Sequence, residues 1–206
     1  SQAFLDAGEC YPLGELLKTV IVASANDSAV AIAEHLAGAE EAFVKLMNAR
    51  ADELGLQNTH YVNCTGLPAP DHYTTARDVA KLSAQLDLHP LYYRYSTIWM
   101  DEIRHRGGRV TALTNTNRLV RFYPGCDGYK TGSTNEARYC ISATAKKDGM
   151  RLIAVVLGTP AGQTRFDEAR AMLEYGFANV KLTTPIAQGQ PLDMTVPVRL
   201  GGRDRG

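Results

Sequence analysis

Residues 126–158 have the sequence CDGYKTGSTNEARYCISATAKKDGMRLIAVVLG. Within this stretch, residues 137–145 and residues 151–158 have the β-branched and apolar composition that is typical of strands. The second segment is apolar almost throughout, as expected for a strand whose two faces are both buried. Residues 107–117, which lie upstream, predict a further strand. The second half of the chain is therefore expected to form a β-sheet.

Helical patterns cluster on the N-terminal side of these strands. Apolar spacing predicts helices over residues 13–23 and 27–37. Thr75 is the expected N-cap of a later helix, because Asp78 follows it at the capping-box position. An amphipathic helix is predicted over residues 165–180. A block of helices followed by a block of strands favours the α+β class.

The composition changes after Val180. Residues 181–206 are punctuated by proline and glycine and show short β-like alternation. We therefore predict that residues 1–180 form one domain, and that residues 181–206 form a linker and the start of an all-β domain. A chain of 206 residues can bury a core without metals or disulfides.

Composition and charge argue against several classes of function. The formal net charge is zero and no basic stripe is present, so nothing supports a nucleic-acid partner. No run of about 18 apolar residues predicts a membrane span. The 4 cysteines form no C-x-x-C pair and the 5 histidines show no metal-ligand spacing, so we expect no metal site. Free, mostly buried thiols are favoured over disulfides, which the even number of cysteines leaves open.

Two short polar motifs lie within these predicted elements. The sequence S-A-N at residues 24–26 interrupts the apolar run between the first two helices, and K-T-G at residues 130–132 opens a predicted strand. Each tripeptide is common by chance, but the pair in this order is a signature of penicillin-binding proteins and class A β-lactamases. A helix N-cap at Ser24 or Asn26, and a solvated surface lysine at Lys130, are the simpler alternatives.

Longer segments extend the resemblance. FLDAGE, LLKTVIVASANDSAVAIAEHLAG, TTARDVAKL, LTNTNRL, DGYKTGST and AKKDGMRLIAVVLGT lie within roughly residues 3–180. They resemble the low-molecular-weight penicillin-binding proteins, which are serine-type D-alanyl-D-alanine carboxypeptidases of peptidase family S11. The resemblance implies that residues 1–180 form a partial transpeptidase-like (carboxypeptidase) domain. Its fold would be that of penicillin-binding proteins and β-lactamases, in which a helical sub-domain lies beside an antiparallel sheet.

The chain departs from the family pattern in one respect. The family's nucleophile belongs to an S-x-x-K motif upstream of S-x-N, and none of the serines here has a lysine three positions later. We expect that motif, and the first strands of the sheet, to precede residue 1. This chain should then show about three strands, with an open edge unless a partner covers it, and should be inactive alone.

The resemblance implies a role for each residue of the two motifs. Ser24 would relay a proton between the nucleophile and the leaving D-alanine nitrogen. Asn26 would hold the substrate carbonyl and the lysine of the S-x-x-K motif. Lys130 would place a positive charge beside Ser24 and the substrate carboxylate. Gly132 would let the strand edge approach the substrate, which would pair with it as an added strand.

Further residues are expected to bind the substrate. The hydroxyls of Thr131, Ser133 and Thr134 lie on the same predicted strand. Arg165, at the start of the last helix, and Arg118, in TNTNR, match family arginines, and a guanidinium suits a planar carboxylate. Exposed surface arginines are the alternative for both.

The implied function is removal of the terminal D-alanine from peptidoglycan stem peptides through an acyl-serine intermediate. This reaction is expected to need neither a metal nor an organic cofactor. The implied partners are the stem peptide, β-lactam antibiotics and the missing N-terminal segment. The implied location is extracytoplasmic, on a parent protein with a signal peptide and with or without a membrane anchor.

A class A β-lactamase is disfavoured because no E-x-x-L-N-type loop lies between the motifs. A non-catalytic module that binds peptidoglycan peptides is the other alternative.

Overall fold

The computed structural model of the protein describes residues 1–183 and residue 186. The helices are α1 (Leu13–Ala23), α2 (Asn26–Ala37), α3 (Glu40–Glu53), α4 (Ala76–Leu86), α5 (Tyr93–Ser96), α6 (Leu119–Phe122) and α7 (Thr164–Asn179). The strands are β1 (Met100–Arg104), β2 (Val110–Thr114), β3 (Cys126–Thr134), β4 (Arg138–Lys147) and β5 (Met150–Thr159). Among these helices, none has the length and apolarity needed to cross a bilayer.

The strands form two separate antiparallel sheets. β3, β4 and β5 make a sheet of three strands in that order, and β1 and β2 make a hairpin. β3 is an edge strand of the larger sheet, where Gly132 pairs with Cys140 of β4. The α+β prediction is confirmed. The larger sheet has the three strands that were expected, but the described residues also form the hairpin of β1 and β2, which raises the number of strands to five.

The main core lies between the larger sheet and α7. Phe166, Ala169 and Leu173 form one face of α7 and are buried against Ile141 and Ala143 of β4. This spacing of three and four residues gives the apolar stripe expected of an amphipathic helix. Burial of apolar surface, which contributes about 25 cal/mol per Å², holds α7 on the sheet. This packing holds the larger sheet, including its edge strand β3, in place.

The opposite face of the sheet is covered by α4. Ser142, which alternates with the apolar residues of β4, forms a hydrogen bond of 2.7 Å with Ser83 of α4. At the start of α4, the Asp78 N–H donates to Thr75 Oγ1 over 3.2 Å, so the predicted N-cap is confirmed. The Asp78 carboxylate does not complete a capping box, because it accepts from the N–H of Asn58 instead. That bond ties α4 to the preceding loop.

The cysteine prediction is correct in part. All 4 cysteines are free thiols, but only Cys126 is buried and Cys10 is exposed. The expectation of mostly buried thiols was therefore wrong. The domain boundary after Val180 stays a prediction, because residues 184–185 and 187–206 lie outside the described residues.

Candidate active site

A cleft with a volume of about 550 Å³ separates the helical part of the chain from the edge of β3. Its walls come from the α1–α2 junction, the loop of residues 63–67 and strand β3. It gathers all but one of the residues that the sequence predicts for the site: Ser24, Asn26, Lys130, Thr131, Gly132, Ser133, Thr134 and Arg165. Both sequence motifs therefore face one space.

Ser24 lies at a left-handed turn between two helices. It is the C-terminal cap of α1, with φ 59° and ψ 43°, and its N–H donates to Thr19 O. A residue other than glycine is disfavoured in this region, and such strained positions are frequent at functional sites. Ala25 is the N-cap position of α2, and no side chain caps that helix. The N-cap alternative for Ser24 and Asn26 is therefore wrong.

Asn26 begins α2 with its side chain free. Its N–H donates to Ser1 O over 2.9 Å, but its side-chain amide makes no hydrogen bond with another described residue. A carboxamide offers both donors and an acceptor. Asn26 thus presents unused hydrogen-bonding capacity to the cleft.

Lys130 reaches across the cleft from β3. Its Nζ donates to Ser24 Oγ over 2.7 Å and to Thr131 O over 2.6 Å. Burial, together with the nearby positive charge of Arg165, lowers its pKa to about 8. The solvated-lysine alternative is therefore wrong. The amine can give up or regain a proton near neutral pH, directly beside the Ser24 hydroxyl.

The edge of β3 next to Lys130 is open. A Cβ at Gly132 would meet no atom within 4 Å, so packing within the protein does not require glycine there. Thr131 is buried, and its Oγ1 donates to Thr116 Oγ1 over 2.7 Å. An edge strand leaves backbone groups unpaired, so β3 can accept an extended peptide.

Arg165 supplies a second fixed cation. Its Nη1 donates to Gly132 O at 3.0 Å and to Cys140 O at 3.3 Å, and its guanidinium lies 4.7 Å from the Phe166 ring centre. Its Nε is buried without a hydrogen-bond partner among the described residues. Arg165 is therefore not a free surface arginine. The positive charges of Arg165 and Lys130, which both line the cleft, suit an anionic group.

Arg118 is not brought to this cleft. It lines a separate cavity of about 250 Å³ beside α6 and α7, where its Nη1 lies 3.4 Å from Gln163 Oε1. The sequence match that suggested Arg118 does not indicate on which side of α7 the arginine lies. Its assignment to substrate binding stays a prediction, which this placement does not favour.

Sequence reasoning missed two contributors to the cleft. Thr116 lines it, and the Thr116 N–H donates to Val22 O over 3.0 Å, which holds the segment after β2 against α1. The other is the wall formed by residues 63–67, where Asn63 Nδ2 donates to Leu67 O and Asn63 Oδ1 accepts from the Gly66 N–H. Asn63 thereby organises this loop, which forms one wall of the cleft.

No cluster of three or more histidine, cysteine or acidic residues suited to a metal lies within the part of the chain that the structure describes. The chemistry available to the cleft rests on Ser24, Asn26, Lys130, Arg165 and the β3 edge. This set can move a proton at a hydroxyl, hold a carbonyl and attract an anion.

The chain is similar in sequence to proteins of one known family. A family model described as D-alanyl-D-alanine carboxypeptidase, peptidase S11, matches residues 1–161. D-alanyl-D-alanine carboxypeptidase DacF of Bacillus subtilis (strain 168) is 42% identical over 201 residues, which are 98% of this chain and 51% of the relative. DacC of Escherichia coli (strain K12), of the same description, is 38% identical over 187 residues, covering 90% of this chain and 46% of the relative.

A solved structure shows the same fold. The Streptomyces K15 DD-transpeptidase superposes with a TM-score of 0.81 at 29% identity, covering 86% of this chain and 72% of that chain. The chain spans about half the length of the curated relatives it matches. By its sequence and its fold, the chain belongs to the D-alanyl-D-alanine carboxypeptidase family, peptidase S11.

Proposed function

We propose that the cleft is the acyl-transfer site of a serine-type D-alanyl-D-alanine carboxypeptidase. Such an enzyme removes the terminal D-alanine of peptidoglycan stem peptides through an acyl-serine intermediate, and β-lactams acylate it. The observation that carries the proposal is the hydrogen bond of 2.7 Å from Lys130 Nζ to Ser24 Oγ. It joins the two motifs into one proton-transfer pair.

Ser24 is the proton relay in this proposal. Its oxygen accepts from Lys130, so its own O–H remains able to donate to the leaving nitrogen of D-alanine. Ser24 then regains a proton from Lys130, whose pKa of about 8 makes the transfer easier than from an ordinary lysine. Asn26 holds the substrate carbonyl with its free carboxamide.

The cations and the strand edge place the substrate. Arg165 binds the terminal carboxylate with the help of the Lys130 charge, because charge-assisted bonds to a fixed guanidinium are strong and directional. The peptide backbone pairs with β3 at Gly132, where no side chain obstructs it. Ser133 and Thr134 continue this edge and line the cleft.

The nucleophile in this proposal comes from outside residues 1–206. None of the chain's serines, which are Ser1, Ser24, Ser28, Ser83, Ser96, Ser133 and Ser142, is followed by lysine at the third position. The full-length protein would supply an S-x-x-K segment to the open side of the cleft. We place it outside the cytoplasmic membrane, where peptidoglycan lies.

Covalent labelling with a fluorescent penicillin tests the proposal. We expect the full-length protein to be labelled and to release the label slowly, and residues 1–206 alone to remain unlabelled. Absence of labelling of the full-length protein, with peptide binding retained, would favour the binding-module alternative. Rapid release would favour the β-lactamase alternative, and labelling of residues 1–206 alone would overturn the external nucleophile.

A further inference from the structure

A closed ring of hydrogen bonds, here called the cleft ring, joins α1, β3 and the segment after β2. Lys130 Nζ donates to Ser24 Oγ over 2.7 Å and to Thr131 O over 2.6 Å. Thr131 Oγ1 donates to Thr116 Oγ1 over 2.7 Å, and the Thr116 N–H donates to Val22 O over 3.0 Å. Val22 lies two residues before Ser24, so the cleft ring starts and ends at the C-terminal end of α1.

Thr116 contributes a side chain to the cleft ring but belongs to neither motif. It is half-buried and lines the cleft. Its backbone N–H contacts α1 and its hydroxyl contacts β3, so one residue connects the two elements that carry Ser24 and Lys130. A substitution that removes the hydroxyl therefore breaks the contact with β3 and keeps the contact with α1.

The segment that carries Thr116 is held by the buried asparagines on either side of it. Asn115 Nδ2 donates to Ser96 O over 2.9 Å and to Ile98 O over 2.8 Å. Asn115 Oδ1 accepts from the Asn117 N–H over 2.9 Å. The two asparagines are 4% and 1% exposed, and buried amides with satisfied hydrogen bonds make a segment rigid. Thr116 is thus a fixed point against which β3 can be placed.

The position of β3 at Thr131 decides where the Lys130 amine lies. The amine is bonded to the Thr131 carbonyl as well as to Ser24, so a shift of the strand at Thr131 moves it. Among the described strands, β3 pairs only with β4, which supports it from one side. Proton transfer requires donor and acceptor within about 2.6–3.2 Å, so a small displacement of β3 would slow it.

We propose that Thr116 is a positioning residue for acyl transfer: its hydroxyl, acting through Thr131, holds the Lys130 amine at hydrogen-bonding distance from Ser24. This inference rests on the proposed function, which makes Lys130 and Ser24 a proton-transfer pair. Thr116 needs no contact with the substrate in this role. Loss of its hydroxyl should therefore slow the chemical step without weakening the noncovalent binding that precedes it.

Acylation of the full-length protein by a fluorescent penicillin tests the role of Thr116. Rates measured over a range of penicillin concentrations separate the acylation rate constant from the dissociation constant of the noncovalent complex. Thr116→Val removes the hydroxyl and keeps the backbone bond to Val22. We expect the rate constant to fall about tenfold, the effect of one ordinary hydrogen bond, and the dissociation constant to stay unchanged.

Two further variants serve as controls. Thr116→Ser keeps a hydroxyl at this position and should recover most of the acylation rate. Thr111→Val removes a hydroxyl on β2 that forms a hydrogen bond of 2.9 Å with His105 Nε2 outside the described lining of the cleft. It should acylate at the wild-type rate.

A double-mutant cycle tests whether Thr116 acts through Thr131. The two hydroxyls share one hydrogen bond, so Thr116→Val should cause no further loss of rate in a Thr131→Val background. If Thr116 acted on the substrate by itself, the two losses would multiply. That result would overturn the positioning role.

The outcomes separate this inference from the function on which it rests. A wild-type rate constant in Thr116→Val, or an equal loss of rate in Thr116→Ser, overturns the role of the Thr116 hydroxyl and leaves the carboxypeptidase proposal intact. If thermal unfolding shows that Thr116→Val does not fold, Thr116→Ala, which also lacks the hydroxyl, is held to the same predictions. Failure of the full-length wild type to bind penicillin overturns the carboxypeptidase proposal, and this inference with it.

Discussion

Lys130 Nζ donates a hydrogen bond of 2.7 Å to Ser24 Oγ across 106 positions of the chain. Ser24 stands at the turn that ends α1, and Lys130 stands in the edge strand β3. The bond therefore links the helical part of the protein to its sheet at the floor of the cleft. A substitution at either residue should disturb one shared proton path.

Lys130→Met should abolish most penicillin acylation of the full-length protein. The substitution removes the proton donor to Ser24 and one of the two cleft cations, and we expect a loss on the order of 100-fold or more in the acylation rate. Labelling kinetics measure the effect. Lys146→Met, at an exposed position of β4, is the matched control and should acylate normally. Equal rates for the two variants would remove Lys130 from the mechanism.

The same substitution should change how stability depends on pH. The pKa of Lys130 is about 8 in the folded chain and 10.5 in its ordinary range, so the unfolded chain binds more protons between these values. The contribution of Lys130 to the free energy of unfolding therefore rises with pH between about 8 and 10.5. The difference in Tm, Lys130→Met minus wild type, should fall between pH 7 and pH 10. A constant difference would contradict the lowered pKa.

Ser24→Ala and Ser28→Ala should separate catalysis from stability. Ser24→Ala removes the acceptor for Lys130, and acylation or turnover should fall by on the order of 100-fold with little change in unfolding. Ser28 is fully buried, and its Oγ accepts from Thr19 Oγ1 over 2.6 Å. Ser28→Ala should lower the free energy of unfolding by about 1 kcal/mol and leave acylation intact. Denaturant titration and labelling, run on both variants, distinguish the two roles.

Arg165→Gln should weaken recognition of the terminal carboxylate. We expect kcat/KM for a D-alanyl-D-alanine peptide to fall by about 10- to 100-fold, because a charge-assisted contact is lost. The preference for a free carboxylate over a C-terminal amide should fall with it. Arg118→Gln should keep that preference, because Arg118 lines a separate cavity. If Arg118→Gln lost this preference and Arg165→Gln kept it, the sequence-based assignment of Arg118 to substrate binding would be supported instead.

Local signals in the sequence predicted the secondary structure closely. α1 has the bounds expected from its apolar run, and the Thr75 hydroxyl caps α4 as predicted. These features depend on residues within one or two helical turns, so the chain carries them in short segments. β1 was not predicted, because only Ile103 of its MDEIR sequence is buried and the strand exists through its pairing with β2.

Local sequence patterns also failed to predict which residues meet at the site. The resemblance suggested both Arg165 and Arg118, but one lines the cleft and the other lies beside α6. Thr116 was not among the predicted site residues, and its hydroxyl meets that of Thr131 because the segment after β2 lies between α1 and β3. Such placements follow from packing between distant segments, which no local pattern encodes.

The sequence by itself determined the order of helices and strands, the α+β class, the two motifs and the family. Tertiary structure alone decided that Lys130 meets Ser24, that Arg165 lines the cleft while Arg118 does not, and that the lysine pKa falls to about 8. The physical reason is that helix caps and apolar periodicity act between neighbours in the chain. Desolvation and hydrogen bonds across a cleft exist only after segments far apart in sequence have packed together.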